Sequence, residues 1–479
     1  MDSNNLKIKS GFAWTTFDKV SSQIVQFLVS VVIARLISPS DYGILGIINT
    51  FIIISQVFIE SGLGSALIYK SDKNPQDLYS AFSFNLIISL TLFGFIFFSA
   101  PFIENYFAIL NLSDCIRVSS FVLLSNALVV VPTAILRINF AYKSLAISNV
   151  ISTIVSGFVG IILAYEGYGY WTLIVQMLSR SILQYILITF YCRWIPRLRL
   201  YKKSFVELYH YGFGLFGASF ITKIVDESTV FFVGKLLTPY SLGLYTRANQ
   251  FAGLPSTSLV TIVSSVIFPS LSSIKNDEEK FNLLFKKSVS FIAAICIPLF
   301  LWIFALSEPI VKIILTDKWI AVVPIMQILC IGRCFYPIAN ISEQVINAKG
   351  RSDLFLNQQL IKMLIKAFFV IILIRYGLLA VAIADTIYTS TQYFVTCFFL
   401  RKVNSFTFIE QLKTIWKYII ASFISSLVVL YLVNIIQNAF VSLSIGIVVA
   451  MTIYGFLLYI LKADITPANI VKTLKEKNI

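Results

Sequence analysis

Histidine occurs once in the 479 residues, at His210, and charged residues make up only 13% of the chain. A soluble domain carries about 25% charge, so the low charge and the 58% hydrophobic share exclude an ordinary soluble fold. One histidine leaves almost no material for a His-based proton relay or a His-rich metal site. No GxxxxGK[ST] run occurs, so ATP hydrolysis by this chain is not expected. The opening "MDSNNLKIKSGFAW" lacks a short apolar core and a small-residue cleavage site, so no cleaved signal peptide is expected. The six cysteines, Cys115, Cys192, Cys296, Cys330, Cys334 and Cys397, have no framework spacing, so disulfides are not implied. Cys330 and Cys334 share a helix face at i,i+4 and read as small apolar packing residues in preference to a metal pair.

What is present is a succession of apolar windows, each near the roughly 20 residues that cross a bilayer. The chain reads as an all-α integral membrane protein with about 14 transmembrane helices, at 12–36, 42–68, 79–102, 116–137, 145–165, 169–191, 213–236, 241–268, 287–307, 320–346, 354–375, 377–400, 415–434 and 441–461. The net charge of +15 sits in short clusters at the window ends, which is the pattern of topology and not of nucleic-acid binding. Lys7, Lys9, Lys70, Lys73, Arg137, Lys143, the run Arg193 to Lys203, Lys275, Lys280, Lys286, Lys287, Lys349, Arg351, Arg401, Lys402, Lys413, Lys462, Lys472, Lys475 and Lys477 fall on one side. The other side has Arg35, Arg117, Lys235, Lys312, Lys318 and Arg375. Both termini are therefore expected in the cytoplasm.

The sequence also repeats itself. "RLISPSDYGILG" at 35–46 returns as "KLLTPYSLGLYT" at 235–246, "SAPFI" at 99–103 returns as "SEPIV" at 307–311, and "AYKS" at 141–144 has a weaker echo in "NAKG" at 347–350. Six spans per half keep both halves in one orientation, so two six-helix bundles related by a pseudo-two-fold axis along the membrane normal are expected. They would occupy 1–200 and 201–403, joined by the basic linker at 192–212, with two further helices and a tail at 404–479. In the repeated turn Ser38 is a plausible helix N-cap before Pro39 with Asp41 completing the turn, and Thr238 with Pro239 repeats it.

Charges inside spans cost roughly 2.5–3.5 kcal/mol even on the lenient insertion scale, yet many occur here. Asp18, Lys19, Glu60, Arg180, Lys223, Asp226, Glu227, Arg247, Arg333, Glu343, Lys362, Lys366 and Asp385 all fall within them. Lys362 and Lys366 lie one turn apart and would repel unless something anionic lies near, which an acidic ligand would supply. Arg247 and Arg333 have no obvious local acidic partner, and with Arg180 they read as cavity cations. Lys223 and Glu227 either neutralise each other or serve function, and Glu60 reads as a rim residue. Asp18, Asp226 and Asp385 are candidates for ion coupling, because a carboxylate in low dielectric holds a proton more readily; pairing with Lys19 or Lys223 is the alternative.

In combination, "ARLISPSDYGILGI", "SGLGSALIYK", "LGLYTRANQFAGLP", "FPSLSSI", "DKWIAVVPIMQILCI" and "NAKGRSDLFL" resemble the Wzx-type polysaccharide repeat-unit flippases, within the superfamily that includes the multidrug/toxin extruders and the lipid II flippase. The resemblance covers most of the first 400 residues. It implies a bacterial inner-membrane flippase, not an enzyme, moving undecaprenyl-pyrophosphate-linked oligosaccharide of an O-antigen, capsule or exopolysaccharide pathway between leaflets. The sugar would pass a cationic cavity while the lipid tail stays in the bilayer; Arg180, Arg247, Arg333, Lys362 and Lys366 suit a pyrophosphate or acidic sugar. Antiport of H+ or Na+ is the implied drive, with no organic cofactor and no metal centre. A monomer is expected, with a polysaccharide polymerase and a chain-length regulator as possible partners. The "RAN" at 247–249 departs from the lipid II branch, so that branch's essential arginines are not transferred. The alternatives are a drug/cation antiporter, which would favour carboxylates and aromatics in its cavity, and a non-transporting component of polysaccharide assembly.

Overall fold

The computed structural model describes residues 3–60, 64, 66–67, 70, 74–274 and 276–463. Of the basic residues used for topology, Lys73, Lys275, Lys472, Lys475 and Lys477 lie outside the described residues, as do the side chains of Lys7, Lys9 and His210. The described residues form helices and the turns between them, without a strand: α1 Ser3–Leu36, α2 Pro39–Glu60, α3 Pro75–Phe107, α4 Leu112–Ile138, α5 Tyr142–Tyr165, α6 Tyr170–Cys192, α7 Lys202–Leu236 and α8 Pro239–Ser273. There follow α9 Glu278–Ala305, α10 Ser307–Ile314, α11 Val322–Arg333, α12 Tyr336–Ala348, α13 Ser352–Leu373, α14 Leu378–Leu400, α15 Phe408–Ile435 and α16 Ala439–Ile460. Among the described residues ten segments are long and apolar enough to cross a membrane, α11 and α12 counting as one. The four long helices outside that set, α7, α8, α13 and α14, carry Lys223, Asp226, Glu227, Arg247, Lys362, Lys366 and Asp385.

The tenth expected span is not one helix. The chain breaks after Arg333, and α12 starts at Tyr336 with Pro337 in its first turn, where the missing N–H of proline costs nothing. The echo "SAPFI" and "SEPIV" also diverges: Pro101 lies inside the continuous α3, whereas Ser307 to Pro309 open the separate α10.

Two compact units divide the chain, Met1–Gly243 and Leu244–Ile479. The helix α7 thus belongs with the first unit, about one helix later than the sequence boundary at 200/201. It packs on α2 and α3, with Phe58 against Phe216 and Phe220. The basic segment after α6 is no free linker, because the Trp194 ring stacks on Tyr79 and meets Phe82 edge-on. The Tyr201 N–H donates to Ser80 Oγ at 3.0 Å and Ser83 Oγ donates to the Arg199 carbonyl at 3.2 Å.

Within the first unit, α5 lies against α1 along a stripe of small residues. Ser148, Ser152 and Ser156 are buried, and Cβ atoms at Gly157 and Gly160 would reach 2.5 Å from Val29 and 3.0 Å from Ile33. Small residues of this kind let helix backbones approach closely in lipid. In the second unit, Phe281, Phe285, Phe300, Ile338 and Tyr418 belong to one apolar core. The last two helices, α15 and α16, join it through hydrogen bonds from Tyr454 Oη to the Ala294 carbonyl (2.7 Å), from Trp302 Nε1 to Ser425 Oγ (3.0 Å) and between Ser290 and Tyr418 (2.8 Å).

The repeated turn forms two helix starts. Ser38 Oγ accepts from the Asp41 N–H at 3.3 Å while the Asp41 carboxylate accepts from the Ser38 N–H at 2.9 Å, a capping box, and Thr238 Oγ1 accepts from the Ser241 N–H at 3.2 Å. The two starts then cross. A Cβ on Gly43 would fall 1.9 Å from the Pro239 carbonyl oxygen, and one on Gly243 would fall 1.8 Å from that of Pro39. Each glycine therefore lies against the other copy's proline carbonyl with no room for a side chain.

Candidate functional site

Apart from Asp226, the predicted site residues fall into three groups, one in the first unit and two in the second. In the first unit, the α1–α5 packing sets Asn149 beside Asp18. Asn149 Nδ2 donates to Asp18 Oδ1 at 2.8 Å and to Ser22 Oγ at 3.1 Å, while Ser22 Oγ donates to the same carboxylate oxygen at 3.2 Å. From α6, Arg180 Nη2 donates to Asn149 Oδ1 at 3.4 Å. Asp18 and Arg180 are thus linked through one amide, which a search for charges alone does not reveal.

Asp226, the second coupling candidate, sits on an exposed face of α7, with Lys223 Nζ at 3.9 Å. The lysine therefore pairs with Asp226 and not, as one sequence reading had it, with Glu227. Glu227 instead accepts from Thr50 Oγ1 on α2 at 3.2 Å. Glu60 is exposed at the end of α2 and accepts from Gln56 at 3.3 Å.

In the second unit, Gln358, Lys362 and Lys366 follow one another at i,i+4 spacing on α13, and all three are buried, at 0%, 2% and 4% exposure. Lys362 Nζ is ion-paired with Glu343 of α12, and Lys366 Nζ lies 5.1 Å from the centre of the Tyr388 ring on α14. The anion that the lysine pair called for is supplied within the chain, so an acidic ligand is not required to explain it. Asp385, one helical turn from Tyr388 and Thr389, is buried on the same α14.

The third group centres on residues 247–253 of α8. Arg247 is buried at 3% exposure, donates through Nη1 to Gln250 Oε1 at 2.5 Å and lies 6.0 Å from the centre of the Trp319 ring. Arg333, at the break between α11 and α12, donates through Nη2 to Asn249 Oδ1 and passes 3.5 Å from the Cβ position of Gly253. The two arginines are thereby brought to one stretch of α8 by neighbouring amides. The "RAN" at 247–249 supplies one arginine and the acceptor for the other.

The six cysteines are free thiols, and Cys334 Sγ donates to the Cys330 carbonyl at 3.4 Å, which is helix packing. Among the described residues no group of three or more His, Cys, Asp or Glu side chains could hold a metal.

Comparison with known proteins resolves the family. The profile described as polysaccharide biosynthesis protein matches residues 32–324, well over half of the chain. The chain belongs to this polysaccharide biosynthesis protein family. Among members and relatives, succinoglycan biosynthesis transport protein ExoT of Rhizobium meliloti is 22% identical over 333 residues, 69% of this chain and 67% of its own. Lipopolysaccharide biosynthesis protein WzxC of Escherichia coli is 22% identical over 73% of this chain and 71% of its own. A solved structure of lipid II flippase MurJ, in an inward closed conformation, superposes at a TM-score of 0.80 with 21% identity, covering 94% of this chain and 98% of that one. An inward-facing multidrug resistance MATE family transporter of the MOP superfamily reaches 0.62 with 13% identity, over 79% and 94%. This member of the polysaccharide biosynthesis protein family therefore has the fold of these transporters.

Proposed function

We propose that the protein is a flippase carrying undecaprenyl-pyrophosphate-linked oligosaccharide repeat units from the cytoplasmic to the periplasmic leaflet of the bacterial inner membrane. Chief support comes from membership of the polysaccharide biosynthesis protein family and a fold shared with a lipid II flippase, together with the buried cations Arg247 and Lys366. Cations without bulk hydration bind phosphate oxygens strongly, and a guanidinium does so in bidentate fashion. In this reading all 14 segments cross the membrane as two six-helix bundles plus two helices, both termini are cytoplasmic, and the protein works as a monomer alongside a polymerase and a chain-length regulator.

Ion-coupled alternating access supplies the drive. Asp18 is the best-placed coupling group, since its carboxylate accepts from both Ser22 and Asn149. Binding a proton, or a sodium ion, at Asp18 weakens the charge-assisted hydrogen bond that holds the Asn149 amide and loosens Arg180 in turn. A drug/cation antiporter of the same fold is the competing reading, and it is less well matched to buried lysines and arginines.

Deletion of the gene tests the proposal. Undecaprenyl-linked repeat units should accumulate on the cytoplasmic face and disappear from the periplasmic one. Normal appearance of unpolymerised units outside would overturn it, and drug sensitivity with normal export would favour the antiporter.

A further inference from the structure

A cavity of about 590 Å³ opens in the second unit where the N-terminal ends of α9 and α15 meet, lined in part by Lys286, Lys413 and Lys417. Its volume is that of a small-ligand site. Elsewhere Lys70, Lys223, Lys280, Lys312, Lys349 and Lys362 each have a carboxylate partner. The three cavity lysines form no ion pair with any described carboxylate. Of the neighbouring acids, Asp277 is engaged by Lys280 at 2.7 Å, Glu278 by Lys349, and Glu410, which lines the cavity with Glu279, accepts the Thr407 N–H at the start of α15. Lys417 gives one N–H to the Lys462 carbonyl at 2.8 Å and keeps two for other acceptors. The positive ends of two helix dipoles point the same way.

The rim identifies the anion. Leu283, which lines the cavity, is 54% exposed, and Ile409, Leu412 and Trp416 are exposed on α15 beside Glu410, Lys413 and Lys417. A soluble phosphate needs no apolar border, whereas a lipid presents a phosphate with hydrocarbon attached. Tryptophan at this level is the usual marker of the membrane–water interface, and basic pockets between helices on the cytoplasmic side hold anionic headgroups.

We propose that this cavity seats the phosphate headgroup of an anionic phospholipid of the cytoplasmic leaflet on Lys286, Lys413 and Lys417, with its acyl chains along Leu283, Ile409 and Trp416. The leaflet rests on the topology of the proposed function; lipid binding itself does not. The site would tie α9 to α15, the first of the two helices outside the duplicated bundles.

Purified full-length protein in phosphatidylcholine-containing micelles is titrated with phosphatidylglycerol while thermal unfolding is followed. At lipid a hundredfold above its Kd the midpoint should rise by about 5 °C. The variant Lys286→Gln/Lys413→Gln/Lys417→Gln should lose that rise and the corresponding Arg variant should keep it. Inorganic phosphate at the same concentration should do nothing. No rise in the natural protein, an equal rise in the Gln variant, or an equal rise with phosphate would each overturn the proposal. If the triple Gln variant does not fold, Lys413→Gln alone, altering an exposed side chain, should raise the lipid concentration for half effect about tenfold. An unchanged titration would then overturn it. Because no transport is measured, failure here is separate from failure of the flippase reading.

Discussion

Replacing Lys362 by Gln leaves Glu343 of α12 without its cation. Lys362 retains 2% exposure and Glu343 16%, so water cannot restore what the lysine supplied. Removing one member of a buried ion pair costs about 3–5 kcal/mol, which is on the order of 10 °C in Tm for a unit of this size. Lys362→Gln should therefore unfold early in detergent, and Glu343→Gln should too. The double variant Lys362→Gln/Glu343→Gln removes both charges and keeps an amide pair of similar shape, so most of the lost stability should return, a coupling of the kind that double-mutant cycles detect. Export then separates the roles of the lysine. If Lys362 also binds cargo, the stable double variant should export about 10- to 100-fold less, the worth of a charge-assisted hydrogen bond. If it only neutralises Glu343, export should follow stability and recover with it. A single Lys362→Gln variant with unchanged Tm would refute the buried-pair reasoning altogether.

Two further outcomes are expected. Gly43→Ala places a methyl 1.9 Å from the Pro239 carbonyl oxygen, where ordinary contact starts near 3.4 Å, so the crossing must part at an overpacking cost of about 1–3 kcal/mol. Gly243→Ala should cost the same, and the double variant little more than either, since one separation relieves both clashes; additive losses in Tm would contradict this. Asp277 caps α9 by accepting from the Lys280 N–H at 3.1 Å, and its side-chain bond to Lys280 holds its carboxyl below the ordinary value of 3.8. A lowered carboxyl stabilises the fold above its unfolded value and ceases to as pH falls through the folded one. Asp277→Ala should thus lower Tm at neutral pH and converge with the natural protein in acid, and a gap that persists in acid would exclude the cap as its source.

Helix positions were legible because a bilayer demands long apolar windows and because caps and prolines mark their ends, as Ser38 and Pro39 do. The break of the tenth span was also written in the sequence, at Pro337, but an apolar window averages over a single proline. The place of α7 was not legible: its sequence pairs it with the later helices, whereas the packing of Phe58 on Phe216 and Phe220 and the Thr50–Glu227 hydrogen bond tie it to the first unit. Charges in the expected spans stood out because each would be expensive in lipid. Their partners did not, since Glu343 and Lys362 meet across two helices and Asn149, Asn249 and Gln250 are uncharged amides. Buried polar residues of that kind become visible only once helix packing says which faces meet.

The glycine crossing ties the two copies of the repeated turn into a single unit of inheritance. Where duplicated segments touch through side chains, one copy can change and the other can adjust by choosing another rotamer. Gly43 and Gly243 leave no such freedom, because each is opposed by a main-chain carbonyl that no substitution removes. Both copies of this corner are therefore held to glycine, whatever else differs between them.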